Sequence, residues 1–238
     1  MEIKYSKEAF LDGQVLLINK PIESTSFAIV IKIRNLIKRT YGLRKIKVGH
    51  AGTLDPLASG LLIVCTGKYT KKISEFQGLD KTYTGTIQLD ITTPSFDFET
   101  EPDASFDLSG LNDEKIYETI KTFTGEIDQT PPIFSAKKIN GIRAYEYARN
   151  GEELEQKSVK IKINDFKITK IYLPYIDFFV NCTKGTYIRS LARDFGKELG
   201  VGGTLRALCR TNIGEYNLDE AISLETFKEE IFKNINEL

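Results

Sequence analysis

The stretch KVGHAGTLDPLASGLLIV, Lys47 to Val64, contains the only histidine of the chain and an aspartate, Asp55, between a leucine and a proline. Its glycines and proline are too frequent for a regular helix or strand, so the stretch predicts a loop leading into a short strand at Leu61–Cys65. The neighbouring leucines partly desolvate Asp55, and desolvation raises the pKa of a carboxyl group that lacks a partner. An ionised Asp55 therefore requires a cation or several hydrogen-bond donors nearby.

An arginine is the natural partner for this carboxylate, because a guanidinium stays charged and donates two parallel hydrogen bonds. Arg189 is the leading candidate, since CTKGTYIRSLA (Cys182–Ala192) sets it between a buried strand and an apolar helix. A fold-stabilising ion pair and a catalytic pair both fit this pattern. The glycines of the loop favour the catalytic interpretation, because they let a ligand approach the backbone closely.

The composition is that of an ordinary globular protein, with 238 residues of which 41% are hydrophobic and 28% are charged. The three cysteines are far apart in apolar or strand-like runs, which favours reduced thiols over disulfides. One histidine and no C-x-x-C pair leave no ligand set for a structural zinc ion, so we expect chemistry without a metal. The chain lacks a long apolar run and a signal-peptide pattern, which predicts a cytoplasmic protein without a membrane segment.

A net charge of zero conceals a strong segregation of charge along the chain. Between Ile31 and Lys81 there are eleven basic residues and three acidic ones, whereas Ser95 to Asp128 has ten acidic and two basic residues. Lys184 to Arg210 is basic again, six to two. Most such runs are solvated surface, but this segregation also lets one face meet a polyanion while the acidic segment stays away from it.

Hydrophobic periodicity predicts a mixture of helices and strands. The predicted strands are Gln14–Pro21, Lys81–Leu89, Ser158–Asn164, Asp165–Leu173 and Tyr175–Cys182. The predicted helices run from Ser24 or Thr25 to about Thr40, near Asp113–Phe123, from Thr186 to Gly200 and from about Ser223 to Asn236. An exposed acidic loop is predicted at Thr92–Gly110. The lack of a regular βαβ alternation favours an α+β fold with a mixed or antiparallel central sheet flanked by helices and loops.

Several other catalytic motifs are absent. The chain has neither G-x-G-x-x-G nor G-x-x-x-x-G-K-[ST], so dinucleotide and P-loop phosphate binding are not supported. A Ser-His-Asp hydrolase would have to use His50, and no G-x-S-x-G accompanies it.

Four ordered motifs carry a family resemblance that spans nearly the whole chain. GHAGTLDPLASGLL resembles the signature of the TruB family of pseudouridine synthases, approximately G-H-x-G-T-L-D-P-x-A-x-G-L-L. The other three motifs follow in family-like order at Lys81–Asp90, Gln129–Gly151 and Cys182–Gly200. The resemblance implies a pseudouridine synthase fold and isomerisation of the T-loop uridine of tRNA, conventionally position 55. It also implies that the N-glycosidic bond is broken and the base is rejoined through carbon, without cofactor or metal.

The resemblance further implies the catalytic roles of three residues. Asp55 matches the nucleophile, which attacks either the uracil ring or the anomeric carbon of the sugar. Arg189 matches the cation that keeps this carboxylate charged in a dry pocket, which is the need already derived for Asp55. Tyr83 matches a tyrosine whose ring packs on the base and whose hydroxyl can move a proton; without the family it is a strand tyrosine in the core.

Three more positions are implied to bind the substrate. His50 matches the histidine that contacts RNA where the target base has left its stack. Tyr187 and Leu208 match residues that line the base pocket, although each would otherwise be interpreted as part of the core. Base flipping itself costs about a few kcal/mol, which stacking surfaces and phosphate contacts offset.

The chain departs from the family pattern in two ways. A common Leu-Arg-Arg is Leu208, Cys209 and Arg210 here, so one basic side chain is missing. The acidic tail Glu215–Leu238 predicts no complete C-terminal PUA domain. We therefore expect 1–238 to form a single catalytic domain that acts on the T-arm of tRNA as a monomer, without an obligate protein partner.

Two alternative functions remain at this stage. One is a non-catalytic RNA-binding or RNA-folding protein, against which the retention of Asp55, Tyr83 and Arg189 speaks. The other is a synthase directed to a different RNA by a guide complex, as in archaeal and eukaryotic relatives. The acidic segment Ser95–Asp128 and the missing PUA region count against that alternative.

Overall fold

The computed structural model describes residues 3–134, 138–139, 142–143 and 156–236, and it forms two compact units. The first unit comprises Met1–Tyr83 and Cys209–Leu238, and the second comprises Thr84–Leu208. The third family-like motif, Gln129–Gly151, lies largely outside the described residues. Whether the two units act as one catalytic domain is not tested by this division and stays a prediction.

The elements follow one another along the chain without a regular alternation. From the N-terminus the first elements are α1 (Lys7–Asp12), β1 (Val15–Lys20), α2 (Ser26–Thr40), β2 (Val48–His50), β3 (Ala58–Thr66), a 3-10 helix (Gly67–Lys72), α3 (Ile73–Gly78) and β4 (Lys81–Gln88), which crosses from the first unit into the second. The next are β5 (Ile91–Thr92), β6 (Ala104–Ser105), α4 (Asp113–Lys121), β7 (Gly125–Gln129), β8 (Lys138–Ile139), β9 (Ile142–Arg143), β10 (Val159–Tyr172), β11 (Tyr175–Cys182) and α5 (Ile188–Leu199). The last are β12 (Thr204–Ile213), β13 (Tyr216–Asn217), a 3-10 helix (Leu218–Glu220) and α6 (Leu224–Asn236).

Both faces of strand β1, in the first unit, are buried. Leu16 and Ile18 belong to one apolar cluster with residues of α2 and α6, whereas Val15 and Leu17 belong to a second cluster on the other face. A strand covered on both sides needs a continuous apolar run, which explains the pattern VLLI. Residues Phe227 and Ile231 of α6, one turn apart, are fully buried in the first cluster.

The strand β3 is longer than predicted and begins at Ala58 rather than Leu61. It pairs antiparallel with β1 from Val15–Cys65 to Lys20–Gly60, and β2 pairs with its C-terminal residues Val64–Thr66. The prediction of a loop from Lys47 was therefore wrong at both ends, because backbone pairing with a distant strand overrides the local glycine signal. Within Lys47–Val64, Lys47 and Ala51–Leu57 remain outside regular strands.

Helix α2 confirms the predicted element and shows why it begins at this point. Thr25 is its N-cap, and its hydroxyl accepts a hydrogen bond from the Ala28 amide at 3.0 Å. Its buried face carries Ile29, Ile33 and Ile37 at a spacing of four residues. Phe27, in the first turn, is 61% exposed and does not belong to this face.

In the second unit, strands follow the order β4–β11–β10–β7. Two predicted strands are one here: β10 runs unbroken from Val159 to Tyr172 and pairs with β11 and β7. A register shift between Ile163 and Asp165 accommodates the polar pair that was interpreted as a break. The strands β7 and β12 were not predicted.

The fold class is α+β, as predicted. The pairs with a defined register are antiparallel, and isolated parallel bridges join Ile18 to Ile222 and Asp97 to Leu205. Helix α5 ends at Leu199 with Gly200 in the left-handed conformation at φ 79°. No helix in the described part of the chain is long and apolar enough to cross a membrane.

We predict that Gly196→Ala destabilises the protein by about 1–3 kcal/mol, because a methyl group on α5 would overlap the Gly202 carbonyl. Gly78→Ala is the matched control: it lies in helix α3, and a methyl group there meets nothing within 4 Å. The control should unfold at the wild-type denaturant concentration or above it. Equal unfolding midpoints for the two variants would contradict the close approach at Gly196.

Candidate active site

Asp55 is half-buried at the start of a tight turn. Its carbonyl accepts a hydrogen bond from the Ala58 amide at 3.1 Å, with Pro56 at the second position of the turn. Proline is favoured at this position because its fixed φ matches the turn. A turn with a fixed proline therefore holds the backbone of Asp55, and the half-buried position of Asp55 agrees with the partial desolvation expected from its leucine neighbours.

Ser26 holds the residue before Asp55. Its hydroxyl accepts a hydrogen bond from the Leu54 amide at 2.8 Å and donates one to the Leu54 carbonyl at 3.1 Å. Ser26 is 1% exposed, so these bonds form away from water. This serine is the first residue of α2, and the sequence pattern does not predict its contact with Leu54.

Lys20 holds the residue after Asp55 and was also missed. Its side chain is fully buried, and Nζ donates to the carbonyls of Pro21, Ser24 and Pro56 at 2.8, 2.7 and 3.4 Å. Burial lowers the pKa of Lys20 to about 8, while the charge of Asp55 raises it and that of Arg210 lowers it. A buried ammonium thus lies within electrostatic reach of the Asp55 carboxylate.

Arg210 is the third side chain fixed to this loop. It is 1% exposed, and its Nε and Nη2 donate to the carbonyls of Leu61 and Gly52 at 2.8 and 3.1 Å. The arginine retained in the sequence Leu208–Cys209–Arg210 is therefore directed into the protein. Cys209, which stands where the family commonly has a second arginine, is half-buried.

His50, at the end of β2, is half-buried, and its Nδ1 is shielded from solvent with no hydrogen-bond partner in the described structure. Burial lowers the pKa of His50, the positive charge of Arg210 lowers it further, and a hydrogen bond with the Gly52 backbone opposes both. The neutral form of the ring is therefore favoured at neutral pH.

Arg189 lies in the first turn of α5 and is 4% exposed. Its Nη1 and Nη2 donate to the carbonyls of Ser95 and Phe134 at 3.1 and 2.8 Å, and Nε lies 3.6 Å from Oδ2 of Asp97. The prediction that Arg189 is buried is confirmed. Its pairing with Asp55, which lies in the other unit, stays a prediction.

Asp97 was hidden in the acidic segment that was predicted as an exposed loop. Of the five acidic residues in that loop, Thr92–Gly110, four are exposed, but Asp97 is 4% exposed. Ser95 and Thr93 are buried beside it and donate to its carbonyl at 3.0 and 2.7 Å. The loop prediction is thus wrong for this part of the segment, because the polar groups satisfy one another and the buried Arg189.

The remaining predicted site residues occupy different surroundings. Tyr83 is 8% exposed on β4 in the first unit, whereas Tyr187 and Leu208 are half-buried in the second. The buried Gln129 clamps the backbone of Tyr187 by accepting from its amide at 2.8 Å and donating to its carbonyl at 3.1 Å. The convergence of these residues with Asp55 and His50 on one base pocket stays a prediction.

The segregated charge reaches the surface. Of the eleven basic residues between Ile31 and Lys81, Lys81 alone is buried, and its Nζ donates to the carbonyls of Gln77 and Leu79. Eight of the others are exposed. The basic segment therefore offers cationic groups to solvent.

Two relatives match this chain along nearly their full length. The chain is 56% identical over 225 residues to tRNA pseudouridine synthase B of Flavobacterium johnsoniae, covering 94% of this chain and 98% of that protein. It is 49% identical over 233 residues to the protein of the same name from Phocaeicola vulgatus, covering 96% and 99%.

A likeness to solved structures confirms the predicted pseudouridine synthase fold. The crystal structure of a Cbf5–Nop10–Gar1 complex contains a chain that is 27% identical, with a TM-score of 0.71 over 96% of this chain. This protein spans only 57% of that longer chain.

Two family models together match residues 38–237 of the chain. Residues 38–188 match the N-terminal domain of the TruB family pseudouridylate synthases, and residues 189–237 match the tRNA pseudouridylate synthase B C-terminal domain. The first match alone includes His50, Asp55, Tyr83 and Tyr187. The chain belongs to the TruB family of pseudouridylate synthases.

Proposed function

We propose that this protein converts uridine to pseudouridine in the T-loop of tRNA. The observation that carries the proposal is the Asp55 turn, whose backbone is held on both sides by buried side chains within a family-defining motif. Relatives that match over almost their full length are named tRNA pseudouridine synthase B. Membership of that family supports the T-loop as the target.

The reaction breaks the bond between ribose C1′ and uracil N1 and forms one between C1′ and uracil C5. The hydrogen on C5 leaves as a proton, and N1 gains a proton. Asp55 acts as the nucleophile, attacking either the uracil ring or C1′, and is released when the new bond has formed. A fixed turn suits this role because it removes the motion that would misalign the carboxylate and the base.

Other residues bind and orient the flipped base. Tyr83 packs on the uracil and moves a proton, Tyr187 and Leu208 line the pocket, and Arg189 keeps the reacting carboxylate charged. His50 contacts the RNA that the base has left. The exposed lysines and arginines of Ile31–Lys81 bind phosphates.

The same proposal includes the setting of the enzyme. Residues 1–238 form one catalytic domain, which acts in the cytoplasm as a monomer, without an obligate protein partner, cofactor or metal. A guide-directed synthase is the second candidate, because the fold also matches Cbf5 in a complex with Nop10 and Gar1. The higher identity to tRNA-modifying relatives of equal length favours action on tRNA alone.

Asp55→Asn should abolish the release of tritium from a T-arm stem-loop labelled at uracil C5, because an amide is not a nucleophile at this position. The wild-type protein should release about one tritium per RNA without added metal or nucleotide. RNA binding by the variant should persist in a filter-binding assay, and its thermal unfolding should show an intact fold. Continued release by Asp55→Asn would remove Asp55 as the nucleophile.

Arg189→Lys should reduce the single-turnover rate by about a hundredfold or more. A lysine cannot donate from a planar fork to the Ser95 and Phe134 carbonyls while facing the Asp97 carboxylate. The matched control is Arg206→Lys, an exposed arginine of the same unit whose guanidinium lies 4.5 Å from the centre of the Phe98 ring. Near-normal turnover of Arg189→Lys would exclude Arg189 from the mechanism.

Raising the salt concentration should weaken T-arm binding steeply, with a log–log slope of about −0.7 to −0.9 for each phosphate contacted. Replacing the exposed Lys45 and Lys47 together by glutamine should make the slope shallower by up to about two. Replacing Glu114 and Glu118 by glutamine is the control, and it should leave the slope unchanged. A flat salt response of the wild-type protein would contradict phosphate binding by the basic segment.

A further inference from the structure

Arg210 is among the largest fully buried side chains of the protein. A guanidinium removed from water must donate hydrogen bonds, since an unsatisfied buried charge is strongly destabilising. Two of its nitrogens, Nε and Nη2, donate to the main-chain carbonyls of Leu61 and Gly52, which are nine residues apart. The Asp55 turn lies between these two residues, so one side chain of β12 spans the turn.

The backbone around Arg210 is also fitted to this loop. Gly60 has φ 105°, and a methyl group there would lie 2.7 Å from the Arg210 amide nitrogen and overlap its carbonyl. Gly52 has φ 104° and faces Nη1 of Arg210 at 3.7 Å from the ideal Cβ position. Both conformations are rarely adopted by residues with a side chain. Gly60 is thus required for the close approach of the Arg210 backbone, whereas Gly52 is required for its own positive φ.

The charge of Arg210 acts on two groups beside the turn. Burial is the main cause that lowers the pKa of His50, and the charge of Arg210 lowers it further. Burial also lowers the pKa of Lys20; the charge of Asp55 raises it, and the charge of Arg210 lowers it. The Gly52 backbone, to which Arg210 donates, also forms the hydrogen bond that raises the pKa of His50. One side chain therefore influences both the shape of the turn and the charge state of the histidine that precedes it.

We propose that Arg210 is a positioning residue of the synthase: it binds Gly52 to Leu61 across the Asp55 turn. As a second and separable effect, its positive charge adds to burial in favouring the neutral form of His50. The proposal rests on the proposed function, because positioning is defined by the reaction at Asp55. Arg210 itself has no contact with the substrate in this role. A merely structural Arg210 would support folding without affecting the reaction or the histidine.

Three variants separate these roles. Arg210→Met removes both the charge and the hydrogen bonds, whereas Arg210→Lys keeps the charge but cannot span two carbonyls with one short ammonium. Ile231→Ala is the stability control, since it removes buried apolar contacts in the α2–α6 cluster of the same unit. Each variant is assayed below its unfolding temperature for single-turnover tritium release at saturating T-arm RNA.

The lone histidine of the chain permits a second, independent readout. Its Cε1–H signal in a two-dimensional NMR spectrum reports the titration of His50 without overlap and without RNA. We expect Arg210→Met to titrate at higher pH than the wild-type protein, and Arg210→Lys and Ile231→Ala to titrate close to it. If Arg210→Met does not fold, Arg210→Lys still tests the positioning role through its rate.

Both arginine variants should lose about tenfold or more in the single-turnover rate, while RNA affinity changes little and Ile231→Ala keeps a near wild-type rate. Wild-type rates in the arginine variants, or equal losses in Ile231→Ala, would overturn the positioning role. An unchanged His50 titration in Arg210→Met would overturn the electrostatic part. Inactive wild-type protein would instead refute the proposed function, and the titration would still test the link between Arg210 and His50.

Discussion

Hydrogen bonding to the main chain of one short turn is the constraint on which the site depends. The segment from Gly52 to Pro56 has no regular secondary structure, yet Arg210, Ser26 and Lys20 bind its backbone in succession. These side chains come from three different elements and are buried. Each would be destabilised by the loss of its carbonyl or amide partner, so the turn and its supports are stable only together.

The parts of the fold that follow from local pattern were predictable. A continuous apolar run predicted the doubly covered strand β1, and the spacing of apolar residues predicted α2 and α5. The limits of β3 and the unbroken β10 were not predictable from local pattern, because they depend on pairing with other strands: β3 with the distant β1, and β10 with β7 and the adjacent β11. A bulge at Asn164 and Asp165 allows two polar residues to lie within a long strand, where local pattern indicates an end.

In the candidate site, too, some residues could be predicted from the sequence and others could not. Asp55 was identifiable because a carboxylate among leucines, glycines and a proline is unusual. Lys20 and Arg210 were not identifiable from the sequence. Both side chains bind main-chain carbonyls, which every residue has, so the residues that they contact carry no distinctive sequence pattern. Asp97 was concealed by nine exposed acidic neighbours that belong to the surface. Its burial became evident only when Ser95, Thr93 and Arg189 were seen to surround it.

Anchoring through the backbone separates the shape of the Asp55 turn from the identity of its outward side chains. Thr53 and Leu57 are exposed, and neither side chain takes part in the bonds that hold the turn. These positions can therefore change during evolution without moving the carboxylate. Variation in them offers a route to altered RNA preference at constant chemistry, whereas Gly52 and Gly60 have no such freedom.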